Sequence, residues 1–475
     1  MNPKGSAVAL PSVVAGLLTS VCVLFQWWLP LAAILVGVPM ALFFLSEPFL
    51  ALIMWLLLSP ALGEYIRLSL PTGIPDITFD RLVVGCILLA FTFRVMFRGG
   101  RLLPAGPIEK AMLFFMVVAV LDVLFRNERK GSELLIVFDE YAIPFLLFVA
   151  AKNLFASDDQ VRLFSWGLFV VGVYLAVYGI RQYLTHGDFT ASEEIDPETL
   201  GHLLEGRAVG PYANAAIYGS VLTFAFLWTL YLVSPDRVGR EKFVIGIGLG
   251  LIGLGVLLSV TRAVWLGFLV SLFIVQLLDR RWRTPFVACL VALILVGSLA
   301  WLRRSATSLI QERLVAEDTI QQRLVSYKLA LLMIASRPVF GYGRGQEPFA
   351  IGRTEYLAKI QSNWAELGSE IGPPHNQYLY TLVQYGLVGF LAHAAVFVAI
   401  IRSGVTLMRK ITNPHSPRRH FAVLFWGMLA AYLVQGLFAD VVAFPFLGAL
   451  LFVFAGILDR LRVEAVSFRD QNVRV

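Results

Sequence analysis

Long apolar runs separated by short polar breaks follow one another along almost the whole chain. Most are close to the roughly 17–25 residues that a helix needs to cross a bilayer. The first three are separated only by Pro30 and by the Ser46-Glu47-Pro48 break. The pattern predicts an all-α polytopic membrane protein with roughly 12–14 transmembrane helices. The runs lie near 12–29, 31–46, 48–62, 81–97, 109–125, 134–151, 161–184, 209–233, 242–259, 263–278, 284–302, 376–401, 420–437 and 441–458.

The longest polar interruption covers residues 303–375 and ends on Pro373-Pro374-His375-Asn376. Within it, Thr319-Ile-Gln-Gln322 fits a capping box and predicts a helix that runs to about Ser336. We expect this helix to lie against the membrane surface or the mouth of the bundle. Its apolar face is predicted to consist of Leu324, Tyr327, Leu331 and Ile334.

This interruption divides the chain into four predicted parts. The parts are N-terminal transmembrane helices over 1–204, central helices over 205–302, an extracytoplasmic loop over 303–375, and C-terminal helices with a tail over 376–475.

The composition agrees with a membrane protein. Of 475 residues, 58% are hydrophobic and 15% charged, with a mean hydropathy of +0.75, whereas soluble domains carry about 25% charged residues. Cys22, Cys86 and Cys289 lie inside apolar runs, which favours packing over a disulfide framework or a metal cluster. The net charge of +7 fits Lys and Arg retained on the cytoplasmic side, so no nucleic-acid partner is expected. The first run lacks a small-residue cleavage site and is interpreted as a retained signal-anchor.

The basic residues between runs predict the orientation. Alternating spans place five basic clusters and both termini on one side, which is expected to be cytoplasmic. The loop 126–133, with Arg126, Arg129 and Lys130, falls on the opposite side and is the one exception. The other extracytoplasmic segments are 63–80, 185–208, the Ser259–Arg262 turn, 303–375 and the turn near Asp440.

Four polar features on the extracytoplasmic side lie beside apolar helices: Arg207, Arg262, Arg323 and the pair His375-Asn376. Each has an ordinary explanation as well as a functional one. Arg262 fits a snorkelling anchor at a helix end, and Arg207 fits an ion pair with the acidic loop before it. Arg323 fits the solvated face of a helix, and His375 fits a simple helix start.

The combination favours an anion site. Guanidinium groups bind phosphate oxygens bidentately and stay charged, and a diphosphate with its lipid tail in the bilayer would place its head group at this depth. A histidine there can accept a proton from a hydroxyl. There is no P-loop and no His-Glu-x-x-His. The Gly248-x-Gly250-x-x-Gly253 pattern lies mid-span without a preceding strand and indicates helix packing.

Four stretches resemble the O-antigen ligase and polymerase superfamily. They are Arg323-Leu-Val-Ser-Tyr-Lys-x-Ala, Ile334-x-x-Arg-Pro-Val-Phe-Gly-Tyr-Gly, His375-Asn-Gln-Tyr-Leu and Gly386-Leu-Val-Gly. Ser259-Val-Thr-Arg262-Ala-Val-Trp and Arg207 with Gly210-Pro-Tyr-x-Asn are similar to two earlier motifs of that family. The resemblance covers roughly residues 205–400.

The resemblance implies a metal-independent, inverting glycosyltransferase of the polytopic GT-C type, without a cofactor, in the bacterial inner membrane. Its donor would be an undecaprenyl-diphosphate-linked glycan, and its acceptor a lipid A–core sugar or another lipid-linked glycan, in a periplasmic active site. Arg207, Arg262 and Arg323 would hold the diphosphate, and His375 would assist attack by the acceptor hydroxyl. Secondary candidates are Asn376, Tyr342 and Asp440.

The motifs do not separate a ligase from an O-antigen or exopolysaccharide polymerase. A transporter or flippase of lipid-linked sugars is the alternative from another class, with His393 and Asp122 as candidate relay groups inside the membrane. A non-catalytic scaffold of a secretion complex is the third alternative. It would tolerate changes at Arg262 and His375.

Overall fold

Apolar α-helices account for most of the chain that the structure describes. The structure is a computed structural model, and it describes residues 43–63, 67–68, 76–97, 102–126, 130–185, 207–233, 239–302, 317–345, 347–356 and 373–472. The predicted signal-anchor therefore lies outside the described residues.

The N-terminal half consists of helices and one short strand pair. The strands β1 (Arg67–Leu68) and β2 (Ile77–Thr78) are antiparallel, with Arg67 opposite Thr78. A π-helical segment, Phe138–Ala142, joins α4 to α5, and a 3₁₀ turn, Gly210–Tyr212, precedes α7. The helices are α1 (Pro48–Leu62), α2 (Phe79–Phe97), α3 (Pro107–Arg126), α4 (Lys130–Val137), α5 (Ile143–Leu154), α6 (Asp158–Leu184) and α7 (Ala215–Tyr231).

The C-terminal half continues the bundle, and the described part of the polar loop adds helices α11 (Glu317–Ser336) and α12 (Glu347–Tyr356). A second 3₁₀ turn, Arg280–Trp282, precedes α10. The helices are α8 (Gly239–Leu258), α9 (Arg262–Leu278), α10 (Arg283–Leu302), α11 (Glu317–Ser336), α12 (Glu347–Tyr356), α13 (Gln377–Lys410), α14 (Pro417–Gln435) and α15 (Pro445–Asn472).

Several of these helices have the length and composition of membrane spans. Four continuous helical stretches among the described residues qualify by both measures: Lys130–Leu154, Asp158–Leu184, Gly239–Leu258 and Gln377–Lys410. Shorter apolar helices, including α1, α7 and α9, pack beside them. The all-α, multi-pass fold class is confirmed. The total of roughly 12–14 spans and the four-part division remain predictions.

Aromatic stacking and small residues hold the bundle together. The Trp228 ring of α7 stacks on Phe454 of α15 at 3.7 Å between ring centroids. On α8, a Cβ added to Gly248 would lie 2.1 Å from the Phe169 ring of α6. This glycine therefore permits close helix approach, as the sequence indicated.

The long helix α13 is broken at Gly386, where segment 338–343 crosses it. Gly386 has φ 61° and ψ −163°, a conformation almost confined to glycine. The backbone N–H groups of Leu387 and Val388 donate to the carbonyls of Pro338 and Val339 at 2.8 and 3.1 Å. In return, the loop donates two hydrogen bonds to α13: Tyr342 N to Val383 O at 2.8 Å and Gly343 N to Gln384 O at 2.9 Å. The crossing thus satisfies backbone groups that the break leaves open.

The loop helix α11 buries a different side from the one predicted, and of the predicted face Ile334 packs against the buried core. Its end at Ser336 matches the prediction, but it begins at Glu317, so Thr319 lies inside the helix instead of capping it. Leu324 and Leu331 of the predicted apolar face are 53% and 56% exposed. The buried residues form a small separate core with α12 and the start of α13: Val325, Leu329, Ala330, Met333, Phe349 and Val383. Apolar residues lie on two sides of α11, and contact with α13 determines which side is buried.

Loop 126–133 is the exception to the predicted charge pattern, and its residue Arg126 has a structural role. The Arg126 guanidinium donates to the carbonyls of Phe340 and Gly341 at 2.6 and 3.0 Å, and it lies over the Phe340 ring. The end of α3 at Arg126 therefore lies beside the crossing segment of the polar loop. A charge engaged in this way is a weak indicator of the cytoplasmic side.

The opposite end of the bundle contains a buried ion network. Lys152 is fully buried and pairs with Asp459 at 2.8 Å and with Glu109. Asp459 also accepts from Arg462 and from the Ser403 hydroxyl, each at 2.8 Å. These contacts join α3, α5, α13 and α15. We call this end the Lys152 end, and the end where α13 begins the His375 end.

Candidate active site

His375 lies immediately before α13, close to Arg323 on the loop helix. Partial burial and the positive charge of Arg323 lower the pKa of His375 from its usual value. The Nε–H of Arg323 is buried and has no hydrogen-bond partner among the described residues. A histidine with a lowered pKa is neutral near pH 7 and can accept a proton.

Asn376 holds the start of α13 in place. Its side-chain oxygen accepts from the backbone N–H groups of Tyr378 and Leu379, both at 3.0 Å, as an N-cap. Its amide nitrogen donates to the Leu437 carbonyl at 3.0 Å, and the Tyr327 hydroxyl of α11 donates to the same carbonyl at 3.4 Å. One carbonyl after α14 thus positions both the helix with Arg323 and the helix preceded by His375.

The segments that carry Arg207 and Arg262 meet at another junction. The N–H of Ala208, next to Arg207, donates to the Leu258 carbonyl at the end of α8 at 2.8 Å. The chain then reverses through Val260, which has a positive φ of 41°, and α9 begins at Arg262, whose side chain is exposed. The Gln182 side chain fixes the Arg207 turn by accepting from the N–H groups of Val209 and Gly210 at 2.9 and 3.0 Å.

The packing of α9 against α14 brings the two junctions to one end of the bundle. Gly267 of α9 lies against the side chain of Gln435, at the end of α14. The next residue, Gly436, accepts a hydrogen bond from the N–H of Gln377 at 2.8 Å. Arg262 is five residues before Gly267, a rise of about 7.5 Å. All four candidate residues therefore lie at the His375 end, around the end of α14.

Asp440 occupies the turn between α14 and α15 at this same end. Burial raises the pKa of Asp440 to about 6, and the charge of Arg344 and backbone N–H groups oppose that rise. Its Oδ1 atom is buried and has no hydrogen-bond partner among the described residues. A carboxyl group in that state can exchange a proton near neutral pH.

Arg344 is the centre of a charged cluster that the sequence did not reveal. It is 5% exposed, pairs with Glu133 at 3.3 Å and with Glu140 at 2.5 Å, and donates to the Tyr385 hydroxyl at 3.1 Å. Its backbone N–H donates to Asp122 Oδ2 at 3.2 Å. The only sequence signal is an arginine inside a glycine-rich turn, because its acidic partners lie about 200 residues earlier.

The π-helical segment directs two neighbouring carboxylates to different partners. Glu140 turns toward Arg344, while Asp139 pairs with Arg81 of α2, with Nε to Oδ1 at 3.0 Å. Such wide turns are frequent at functional sites. The segment thereby connects the Arg344 cluster to the N-terminal helices.

Tyr342 and His393 have packing contacts. The Tyr342 hydroxyl shares hydrogen bonds with Ser336 at 2.6 Å and Tyr356 at 3.1 Å. The Arg337 guanidinium lies 4.4 Å from the centre of its ring. His393 is buried and stacks on Phe115 at 4.8 Å between ring centroids.

The arrangement combines cationic groups with a neutral proton acceptor at one end of an apolar bundle. Arginines at the Arg207–Arg262 junction and on α11 can bind a polyanion. Neutral His375 can accept a proton, and Asp440, whose pKa burial raises to about 6, can exchange one near neutral pH. This combination suits a reaction in which an anionic group leaves while a hydroxyl loses its proton.

Residues 247–394 match the family described as O-antigen ligase. A Salmonella typhimurium protein named O-antigen ligase is 26% identical over 191 residues, which are 38% of this chain and 45% of the relative. An uncharacterized protein of Haemophilus influenzae is 26% identical over 240 residues, 46% of this chain and 54% of the relative. The chain spans about half the length of the curated relatives that it matches.

Proposed function

We propose, from the match of residues 247–394 to the family described as O-antigen ligase, that this multi-pass membrane protein is a glycan transferase. The donor is a glycan on undecaprenyl diphosphate, and the acceptor is a sugar hydroxyl of a lipid A–core or of a second lipid-linked glycan. The site is the His375 end, on the periplasmic side of the inner membrane, with both termini cytoplasmic.

The arginines act on the leaving group. When the acceptor oxygen bonds to the anomeric carbon, the bond from that carbon to the diphosphate breaks, and the diphosphate leaves with the electron pair. Arg207, Arg262 and Arg323 neutralise the charge that develops on its oxygens. Fixed cations at such a position stabilise the transition state more than the ground state.

His375 takes the proton of the acceptor hydroxyl. The observation that carries the proposal is the place of His375 beside Arg323, where burial and the charge of Arg323 lower the pKa of the imidazole and favour its neutral form. A neutral imidazole is a base and not a cationic contact for phosphate. Asp440, with a pKa of about 6, is a secondary proton acceptor at the same end.

The proposed function is tested by reconstitution. Purified protein in lipid nanodiscs receives a lipid-linked glycan and either lipid A–core or a second lipid-linked glycan. We expect transfer to one of the two, with release of undecaprenyl diphosphate. Lipid A–core as acceptor identifies a ligase, and elongation of the lipid-linked glycan identifies a polymerase. Absence of transfer to both, with the donor moved across the bilayer instead, would support the transporter alternative.

Arg323 also governs how activity depends on pH. Because its charge lowers the pKa of His375, His375 stays neutral to lower pH than a free histidine does. Arg323→Gln should therefore raise that pKa, and the acid limb of kcat/KM should move to higher pH. The measurement is kcat/KM at low donor concentration between about pH 5 and 8, which reports groups of the free enzyme.

Arg353→Gln is the matched control for this profile. Arg353 lies on α12, next to the same loop core. We expect the acid limb of kcat/KM in Arg353→Gln to coincide with that of the wild type. An unchanged limb in Arg323→Gln would remove the argument for His375 as the base.

A further inference from the structure

A cavity of about 310 Å³ lies between α1, α2, the π-helical segment and the turn that follows Arg207. Its polar lining includes Ser59, Asp80, Arg81, Asp139 and Tyr212, and Trp55 and Phe446 provide aromatic walls. Sites for small molecules begin at about this volume and combine aromatic surface with a few convergent polar groups.

The polar lining of the cavity has a different net charge from the site formed by Arg207, Arg262 and Arg323. Arg81 is engaged by Asp139, and both side chains keep about a fifth of their surface exposed, 21% and 20%. Asp80 accepts from the indole N–H of Trp55 at 3.0 Å. Two carboxylates and one guanidinium leave the polar lining acidic. Such a lining disfavours a diphosphate and suits hydroxyl groups, which donate to carboxylates.

Tyr212 contributes a hydrogen-bond donor. Its hydroxyl oxygen is buried and has no partner among the described residues. Burial, together with the charge of Asp80, raises the pKa of Tyr212 well above its ordinary value, so the hydroxyl stays protonated. Its ring and that of Phe446 stack at an interplanar angle of 29°. Buried polar groups normally have partners, so a ligand oxygen is a fitting partner here.

We propose that this cavity binds the sugar ring that is bonded directly to the diphosphate of the donor. The inference rests on the proposed function. Tyr212 belongs to the turn that also holds Arg207, so a diphosphate bound at Arg207 places its attached sugar next to the cavity. Carboxylates and the tyrosine hydroxyl then contact the sugar hydroxyls, while Trp55 and Phe446 face its C–H surface.

The first test measures sugar binding without turnover. Methyl glycosides of glucose, galactose and N-acetylglucosamine are titrated onto the full-length protein in nanodiscs, followed by saturation-transfer NMR. At least one should bind, about three- to tenfold more weakly in Tyr212→Phe and about tenfold or more weakly in Asp80→Asn. The asparagine can still accept from the Trp55 indole.

Tyr218→Phe is the matched control, because the Tyr218 hydroxyl is also buried without a hydrogen-bond partner among the described residues. That hydroxyl lies against Gly179 and Gly255, which do not line the cavity, and the Tyr218 ring, which packs on Gly210, is kept in the phenylalanine variant. This variant should bind the glycosides like the wild type. Absence of glycoside binding, or equal binding in all variants, would overturn the proposal.

A second test uses transfer. In Tyr212→Phe, the KM for the lipid-linked donor should rise about three- to tenfold while the KM for the acceptor stays constant. A change confined to the acceptor KM would overturn the assignment to the donor sugar. Glycoside binding that responds to the variants without any transfer would refute the transferase and leave the sugar cavity standing. Normal transfer with a donor KM that is unchanged in Tyr212→Phe would support the transferase and refute the sugar cavity.

Discussion

Replacement of His375 by alanine is expected to reduce kcat for glycan transfer by about 10²- to 10⁴-fold, the range typical of a lost general base. The KM for the donor should change little, because the neutral imidazole is assigned to the acceptor hydroxyl and not to the diphosphate. The measurement is initial transfer rate in nanodiscs at saturating acceptor, over a series of donor concentrations.

Two comparisons make this result specific to the base. His415→Ala removes an exposed histidine after the far end of α13 and should transfer like the wild type. Arg262→Ala should leave membrane insertion intact and lower kcat for transfer by about 10²- to 10³-fold, because it removes a cation that stabilises the leaving diphosphate. A His375→Ala protein that forms glycan at the wild-type rate would refute the site.

Gly386→Ala is expected to prevent stable folding of the loop crossing. An added Cβ would lie 2.5 Å from the backbone nitrogens of Gly341 and Phe340 and from the carbonyl carbon of Val339. These are backbone atoms held by hydrogen bonds, so they cannot move aside cheaply. The positive φ adds strain of about 1–3 kcal/mol for a residue with a side chain. The thermal midpoint in detergent should fall sharply, and little monodisperse protein should be recovered.

Gly250→Ala provides the matched control. A Cβ at Gly250, within α8, would meet no atom within 4 Å. Alanine has the better helix propensity by about 1 kcal/mol, so this variant should be as stable as the wild type or slightly more stable. Equal midpoints for Gly386→Ala and the wild type would show that the crossing is not tightly packed.

The glycines around this crossing also show how far motif reasoning reaches. Gly341 and Gly386 belong to two stretches that resembled a known family, 45 residues apart in sequence. The resemblance did not explain why glycine occupies these two positions. The structure does: each glycine has a positive φ, and each lies against the backbone of the other segment. Only glycine allows two main chains to approach so closely.

The candidate site divides in the same way. Arg207, Arg262, Arg323 and His375 were recognisable because each is a polar residue at the boundary of an apolar helix. Arg344 escaped notice, although it is more deeply buried than the predicted candidates. Its environment depends on Glu133 and Glu140, which reach it only through the packing of α13 against α3 and the position of the π-helical segment.

By itself, the sequence determined the membrane-embedded class, the approximate positions of the helices and the chemical types at the site. Those properties follow from local composition and periodicity, because the transfer of a long apolar run into the bilayer is favourable. Only the tertiary structure decided which face of α11 is buried, where α13 breaks, and which charges become partners. Those outcomes depend on contacts between segments far apart in the chain, whose energies no local pattern encodes.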